Sequence, residues 1–193
     1  MVADDNNWNP KSGLDILLML LYAPEDDNFS SPIAGITRLD KMMFILSKTN
    51  EFTALFEGDY EFIPYNFGPF ATELLDDIEA LVEEGLVNRK KSSEIHDASE
   101  TRDAEIVDEE TGELYDSEVN WDMYSYDIYS LTTKGEEIAK RIFNAAQLIQ
   151  QKRIIELKSV FNKMPLTSLL RYVYEKFPTY AERSKIKDEI TAK

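Results

Sequence analysis

Apolar residues in the first half of the chain recur every three or four positions, which is the spacing of a helix with one buried face. Three helices are predicted, beginning near Ser12, near Thr37 and just after Gly68. Acidic residues three positions beyond Ser12 and Thr37 have the spacing of a capping box, Pro69 suits the first turn of the third helix, and Gly85 suits its end. The predicted buried residues are Leu14, Leu17, Leu18 and Leu21, then Leu39, Met42, Met43 and Leu46, then Leu74, Ile78 and Leu81.

Two stretches beyond the third helix are typical of β-strands. They are LVNRKK at residues 86–91 and MYSYDIYSL at residues 123–131. The polar, acidic segment between them, residues 92–123, contains VDEETGELYD. This motif predicts a small hairpin that turns at Thr111 and Gly112.

The last third of the chain is predicted to be helical. A long helical stretch begins at Thr133, which forms the spacing of a capping box with Glu136. Pro165 begins another helix and Pro178 ends it. The apolar seam of the long stretch is either part of the core or a symmetric contact between two copies of the chain. Its members are Ile138, Ile142, Ala145 and Ile149, followed after a shift of phase by Ile154, Leu157 and Phe161.

This order of elements predicts the fold class. Three helices, a strand, a long loop, a strand and a helix form the order of a winged helix-turn-helix domain, whose third helix enters the DNA major groove. We therefore predict a mainly α fold with a winged-helix domain over residues 11–150 and a two-stranded wing that carries an acidic insertion at residues 92–123. Residues 151–193 are predicted to form a carboxyl-terminal helical extension packed on this domain, and residues 1–10 a flexible amino terminus.

The charge is distributed unevenly along the chain. The net charge is −16. Residues 1–133 hold 30 acidic and 8 basic side chains, a net of −22, whereas residues 134–193 hold 7 acidic and 13 basic side chains, a net of +6. Attraction to phosphate dominates the affinity of proteins for nucleic acids. The acidic part of the chain therefore argues against broad DNA contact there, although such a charge also serves solubility alone.

Residue types exclude several kinds of chemistry. The chain has no cysteine, and His96 is its single histidine, so disulfides, thiolate sites, histidine triads and multi-histidine metal sites are excluded. The seven glycines are isolated, which excludes a phosphate-cradling loop. We expect a non-enzymatic protein without a cofactor or metal ion. No apolar run is long enough for a membrane span, and the amino terminus lacks the apolar core of a secretory signal, so a cytoplasmic location is expected.

Four segments resemble the poorly characterised YwgA-like winged-helix family of bacteria and archaea. They are PIAGITRLDKMMFIL, FIPYNFGPFATELLDDIEALVEEGLV, YSLTTKGEEIAKRI and LLRYVYEKFPTYAERS, and the resemblance covers residues 12–185 apart from the acidic insertion. The chain is also distantly similar to the antitoxin domains called Panacea, which share a Gly-Pro turn before a helix. The resemblance implies a small cytoplasmic regulator or binding module, and it supplies no established catalytic residues.

Candidate nucleic-acid contacts are few, because no basic residue occurs between Lys48 and Arg89 while ten acidic residues do. Side chains that bind bases and phosphates are mostly Arg, Lys, Asn and Gln. Each cation is alternatively part of an ordinary solvated surface. The candidates are Asn66 and Thr72 near the third helix, Arg89, Lys90 and Lys91 in the NRKK segment, and Lys152 and Arg153 in the carboxyl-terminal helices.

Candidate protein contacts surround the YNFGPF motif at residues 65–70. Aromatic side chains are enriched at protein interfaces, although the same rings are alternatively part of the core. The candidates are Tyr65, Phe67 and Phe70, together with Glu73, Asp76 and Asp77 on the acidic third helix.

Two functions are favoured by these features, and an enzyme that uses carboxylates alone is a third, less favoured alternative. The first is a DNA-associated transcription regulator that binds nucleic acid through the NRKK segment and the carboxyl-terminal cations. The second is a protein-interaction or antitoxin-like module whose acidic surface binds a basic partner. We expect a homodimer in either case.

Overall fold

The computed structural model describes residues 9–25, 30–92, 106–107, 114–115 and 126–192. Its helices are α1 Gly13–Tyr22, α2 Ile36–Ser47, α3 Thr53–Phe56, α4 Thr72–Glu83, α5 Thr133–Ala145, α6 Leu148–Phe161, α7 Leu166–Lys176 and α8 Lys187–Thr191, with a 3₁₀ helix at Pro178–Ala181. Its strands are β1 Ile33–Ala34, β2 Ile63–Tyr65, β3 Gly68–Phe70, β4 Val87–Lys91, β5 Ile106–Val107, β6 Leu114–Tyr115 and β7 Asp127–Leu131. The predicted mainly α class is confirmed.

The core is built around α1 and α2. Both helices carry apolar residues on nearly every side, and such helices are stable only when they are surrounded by other elements. α5 and α6 pack on α1, whereas α6 and α7 pack on α2. The predicted buried stripes of the first three helices are confirmed, except that Leu14 is only partly buried. The predicted boundary between residues 150 and 151 lies inside α6.

A three-stranded antiparallel sheet packs on these helices, in the order β1-β7-β4, with β7 against α1 and β1 against α2. The two predicted strands pair as expected, with Val87 opposite Leu131 and Lys91 opposite Asp127. Strand β1, which the sequence analysis did not predict, places Ile33 opposite Tyr129. Both of these side chains are buried.

Within the acidic insertion, the predicted hairpin pairing is present as β5 and β6. Its predicted turn at Thr111 and Gly112 lies outside the described residues, as does most of the insertion. The amino terminus that was predicted to be flexible also lies outside them, apart from residues 9 and 10.

The predicted start of the third helix, just after Gly68, is wrong. Gly68 and Pro69 belong to strand β3, which forms a hairpin with β2, and α4 begins only at Thr72. Gly68 has a φ of +93°, which does not occur in a right-handed helix, and it lies against Tyr174. The Nζ of Lys41 donates a hydrogen bond of 2.8 Å to the carbonyl of Pro69 and holds the hairpin on α2.

Local capping explains where the helices begin. Ser12 caps α1 as predicted, because its hydroxyl accepts a hydrogen bond from the N–H of Asp15. Thr37 is not a cap, since α2 begins at Ile36 and Thr37 is buried within it. At α5 the cap is Thr132 rather than Thr133, and its hydroxyl accepts from the N–H of Gly135.

The long carboxyl-terminal helix is interrupted. Ala146 and Gln147 separate α5 from α6, and Gln147 forms a capping box with Gln150. Ile149 is 51% exposed, so the predicted seam is not one continuous buried stripe. The predicted shift of phase, between Ile149 and Ile154, lies inside α6 and not at this break.

Two buried cations cap the carboxyl ends of helices. Arg38 donates bonds of 2.6 Å to the carbonyls of Phe161 and Met164 beyond the end of α6. Lys158 donates bonds of 3.0 Å to the carbonyls of Leu21 and Ala23 at the end of α1. Positive charge is stabilised at this end of a helix, where the carbonyls lack partners. Both cations therefore connect elements of the core and are not part of the surface charge.

The burial of Lys158 predicts a rise of stability at alkaline pH. Burial lowers its pKa to about 8 from the ordinary 10.5, and Glu25 opposes this shift. The unfolded chain therefore binds more protons than the folded chain between these pKa values, so the free energy of unfolding should rise with pH there. We expect a gain of about 1.5 kcal/mol between pH 8 and pH 9.5.

Urea denaturation at a series of pH values measures this gain. Lys158→Met is the control, and its free energy of unfolding should lack the rise. The range stops at pH 9.5 because burial raises the pKa values of Tyr60 and Tyr174, whose ionisation destabilises the fold at higher pH. An equal rise in both proteins would contradict the assignment.

Candidate functional site

Helix α4 has an acidic exposed face. Its apolar side, formed by Leu74, Ile78 and Leu81, is buried. On the opposite side, Glu73, Asp76 and Glu83 are exposed. The acidic character that the sequence indicated for this helix is therefore presented to solvent.

Asp77 and Glu79, two further carboxylates of α4, have partners within the fold. Asp77 accepts a hydrogen bond of 2.7 Å from the hydroxyl of Tyr60, whose pKa is raised by burial and by this carboxylate. Glu79 forms an ion pair with Arg89 on β4. Asp77 is thus a structural residue as well as a predicted contact residue.

A cavity of about 430 Å³ extends the acidic surface toward α3. Glu73 of α4 lies at its edge. Lys48 also lines it, and its ammonium group lies over the rings of Phe44 and Tyr180 at 5.1 Å. The other lining carboxylates are Glu57, Asp59 and Glu61.

The NRKK cations lie on β4, beside α4 and β7. Arg89 is paired with Glu79, as described above, and Lys91 forms an ion pair of 2.9 Å with Asp127. Lys90 is exposed. Two of the three predicted phosphate contacts therefore have carboxylate partners at the surface, where such pairs contribute little stability and can open.

Lys152 and Arg153 lie on α6, which packs against α1 and α2. Lys152 is exposed, whereas Arg153 bridges Glu51 at 3.4 Å and Glu156 at 3.2 Å. Thr72 is exposed at the start of α4, and the carbonyl of Asn66 accepts a bond of 2.9 Å from the N–H of Lys185. The predicted nucleic-acid residues thus lie on α4, α6, β4 and the β2–β3 hairpin.

The YNFGPF aromatics are divided between the surface and the core. Tyr65 is 47% exposed, and its ring lies 5.1 Å from that of Phe70 with an angle of 31° between the planes. Phe67 is partly buried against the core. The motif therefore lines a second cavity, described next, and also anchors the β2–β3 hairpin to the core.

This second cavity, termed here the hairpin cavity, has a volume of about 270 Å³ and lies between α2, the β2–β3 hairpin and α4. Tyr65 is its one exposed lining side chain, so it marks the mouth. The lining residues are Ile36, Thr37, Asp40, Lys41, Tyr65, Asn66, Phe67, Phe70 and Leu75.

A buried ion pair lines the hairpin cavity. Lys41 and Asp40 are 2% and 3% exposed, and 2.7 Å separates the Lys41 Nζ from the Asp40 Oδ2. The other oxygen of Asp40 accepts a long bond of 3.4 Å from the N–H of Ala71. Burial raises the pKa of Asp40, although Lys41 and this N–H oppose the shift.

Sequence reasoning did not identify Asp40 and Lys41 as site residues. The available signal was a pair of adjacent charges inside the apolar helix PIAGITRLDKMMFIL. A charged residue is almost never fully buried unless it is paired. An adjacent acid and base inside a helix with this long apolar stripe therefore favoured a buried pair.

No protein-family model, curated protein or solved structure matches this chain.

Proposed function

We propose that this protein is a non-enzymatic binding module whose acidic α4 surface binds a basic partner protein, as an antitoxin-like module would. The observation that carries the proposal is the exposed face of α4, where Glu73, Asp76 and Glu83 point to solvent. Complementary charge speeds association and selects the partner.

The scaffold proposed for this module is a winged helix. The order α1, β1, α2, α4, β4 and β7, with the sheet order β1-β7-β4, supports this assignment. In that arrangement α4 occupies the position of the DNA-reading helix and β4 and β7 form the wing. A shared scaffold does not carry a shared function, so the surface chemistry of α4 decides between nucleic acid and protein.

The charge of the α4 surface favours a basic protein over DNA as its partner. Duplex DNA carries one negative charge per about 1.7 Å of axis. Each carboxylate brought within about 4 Å of a phosphate costs on the order of 1 kcal/mol even in bulk water, and more where water is excluded. An α4 helix in the major groove would bring several such pairs together. A basic protein surface would instead gain from the same charges.

A charge-reversal experiment tests the proposal. The wild-type protein is used to capture partners from its native host, and the captured protein is then purified for calorimetric titration. We expect a basic partner bound in stoichiometric amount, and a loss of affinity of at least about tenfold with Glu73→Lys/Asp76→Lys/Glu83→Lys.

A matched control separates the α4 surface from overall charge. Glu175→Lys/Glu182→Lys/Glu189→Lys makes the same change of net charge at exposed positions on or next to the carboxyl-terminal helices. This control should bind as the wild type does. Equal losses in both triple variants, or capture of no basic partner, would refute the proposal.

A DNA-associated regulator is the second candidate, because Lys90 and Lys152 are exposed cations on a scaffold of this kind. Fluorescence anisotropy at low salt with a labelled duplex tests it. If this candidate is correct, Arg89→Ala/Lys90→Ala/Lys91→Ala should weaken binding and lower the salt slope by about 0.9 per lost phosphate contact. Absence of binding, or an unchanged titration, would reject it.

The homodimer stays a prediction. Leu148 and Ile149 at the start of α6 are 72% and 51% exposed, so they are available to a second copy. Sedimentation equilibrium of the wild type beside Ile149→Lys would measure the contribution of this surface.

A further inference from the structure

The hairpin cavity has the size of a single large side chain. Its volume of about 270 Å³ is below the range of about 300–1,000 Å³ typical of sites for drug-sized ligands. It is also next to the acidic surface, because Leu75 of α4 lines the cavity between Glu73 and Asp76 in sequence. A partner that covers α4 could therefore insert one residue here.

Asp40 has unused capacity to accept hydrogen bonds. A carboxylate can accept about four bonds, and among the described residues this one has two partners, Lys41 at 2.7 Å and the Ala71 N–H at 3.4 Å. Incomplete solvation of a buried anion is costly. A donor that entered the cavity would stabilise this carboxylate, whereas an anion would be repelled by it and by α4.

Two neutral polar side chains of the cavity are also available. Thr37 is 8% exposed, and within the described part of the chain no hydrogen bond joins its hydroxyl to another group. The side-chain amide of Asn66 is likewise without a protein partner among the described residues, since only its backbone carbonyl is bonded. Both side chains offer acceptor oxygens to a ligand with several donors.

The rim of the cavity is aromatic. Tyr65 and Phe70 lie at a shallow angle of 31°, and Phe67 lines the same space. Such rings attract cations through their faces, and they stack with the planar guanidinium group of arginine. A guanidinium group is also more weakly hydrated than an ammonium group, so it is the cation best suited to a partly enclosed site.

We infer that the hairpin cavity binds an arginine side chain of the basic partner, with the guanidinium group stacked at the Tyr65–Phe70 rim and donating to Asp40 and Thr37. This inference rests on the proposed function, because it names the residue by which that partner is anchored. Lys41 and the arginine would then hold the Asp40 carboxylate between two cations.

Small derivatives test the cavity without knowledge of the partner. The probes are N-acetyl-arginine amide, N-acetyl-lysine amide with the same charge, and N-acetyl-citrulline amide with the same shape and no charge. Each is titrated into the ¹⁵N-labelled full chain, and amide chemical shifts are followed by NMR. For the arginine derivative we expect saturable shifts at Thr37, Tyr65 and Leu75, with a dissociation constant on the order of 1 mM.

The relative affinities of the three probes show whether the cavity requires both a positive charge and a planar group. The lysine derivative should bind at least about threefold more weakly, because it cannot stack or donate in a plane. The citrulline derivative should produce no saturable shift. Equal binding of arginine and citrulline, an unchanged spectrum, or shifts confined to Glu73, Asp76 and Glu83 would each overturn the inference.

Variants at the rim locate the bound group. Leu75→Trp should fill the cavity and abolish the arginine response. Tyr65→Ala should weaken it by about threefold through loss of the cation–π contact, and thermal denaturation of this variant checks that the fold is kept. Ile63→Ala is the control, since Ile63 is 43% exposed on the same hairpin and does not line the cavity. Equal losses in Tyr65→Ala and Ile63→Ala would contradict the site.

The test also separates this inference from the proposed function. If a basic partner is captured through α4 but the arginine derivative does not bind, the inference fails and the proposed function stands. If the arginine derivative binds and no basic partner is captured, the proposed function fails while the cavity remains an arginine site.

Discussion

Replacement of Lys41 by methionine is expected to destabilise the protein by about 3–5 kcal/mol. The substitution removes the ammonium group that pairs with Asp40 at 2.7 Å and bonds the Pro69 carbonyl at 2.8 Å. It leaves the carboxylate of Asp40, which is 3% exposed, without a cation. An unpaired charge in the interior costs far more than a lost surface pair, because water cannot replace the missing partner. Urea denaturation measures the change.

A second variant shows whether Lys41→Met is destabilised by the unpaired charge of Asp40 or by lost packing. Asp40→Asn/Lys41→Met removes both charges and keeps the shapes, so it should recover much of the loss. Lys90→Met is the control at an exposed lysine and should change stability by less than about 0.5 kcal/mol. A double variant that is as unstable as Lys41→Met alone would show that packing, and not charge, causes the effect.

The loss in Lys41→Met should also depend on pH. Burial raises the pKa of Asp40, and removal of Lys41 takes away the charge that opposes this shift. A proton on Asp40 neutralises the stranded charge, so the loss should shrink as the pH falls from neutral toward the ordinary aspartate value of 3.8. A loss that is constant over this range would indicate that Asp40 is not the origin of the instability.

Replacement of Gly135 by alanine is expected to destabilise the protein by about 3 kcal/mol. Gly135 lies in the first turn of α5, where helix propensity alone would make alanine better by about 1 kcal/mol. Contacts in the folded protein reverse the sign of this change in stability. A Cβ atom on Gly135 would lie 1.9 Å from the carbonyl oxygen of Leu86, which already accepts a bond of 3.0 Å from the N–H of Thr132. The backbone of either α5 or the start of β4 would have to move.

Gly85→Ala provides the comparison for this prediction. Gly85 has a φ of +68°, and among the described residues other than its chain neighbours no atom lies within 4 Å of the position that its Cβ would take. Its substitution should cost only the left-handed backbone conformation, about 1–2 kcal/mol. Thermal or urea denaturation of both variants would show which substitution destabilises the protein more. A Gly135→Ala protein as stable as the wild type would mean that α5 does not approach Leu86 as closely as described.

Local patterns predicted much of the helical structure. The stripe of Leu74, Ile78 and Leu81 and the cap at Ser12 depend on residues within one or two turns, so the sequence alone reveals them. The end of α4 at Gly85 is equally local, because a left-handed residue after a helix is nearly always glycine. At α5 the sequence was misread by one position, since Thr132 and not Thr133 fulfils the local need for a cap. At α2 the predicted cap at Thr37 is absent, and Gly35 precedes the helix without a side-chain capping bond.

The hairpin shows where local reasoning ends. Gly68 and Pro69 fit the start of a helix and also fit a tight strand pair. The contacts that decide between these are distant in sequence, since the bond from Lys41 to the Pro69 carbonyl spans 28 positions. Tyr174, from the other end of the chain, closes over Gly68.

Local sequence patterns likewise do not reveal which charged residues are buried. The sequence by itself determined the helical stripes, several helix ends and the acidic character of α4, because periodicity and capping act over a few residues. Only the tertiary structure decided that Asp40 and Lys41 form a buried pair beside a cavity and that Lys158 caps a helix 137 positions away. The physical reason is that the burial of a charge depends on which distant carbonyls and carboxylates the fold brings to it.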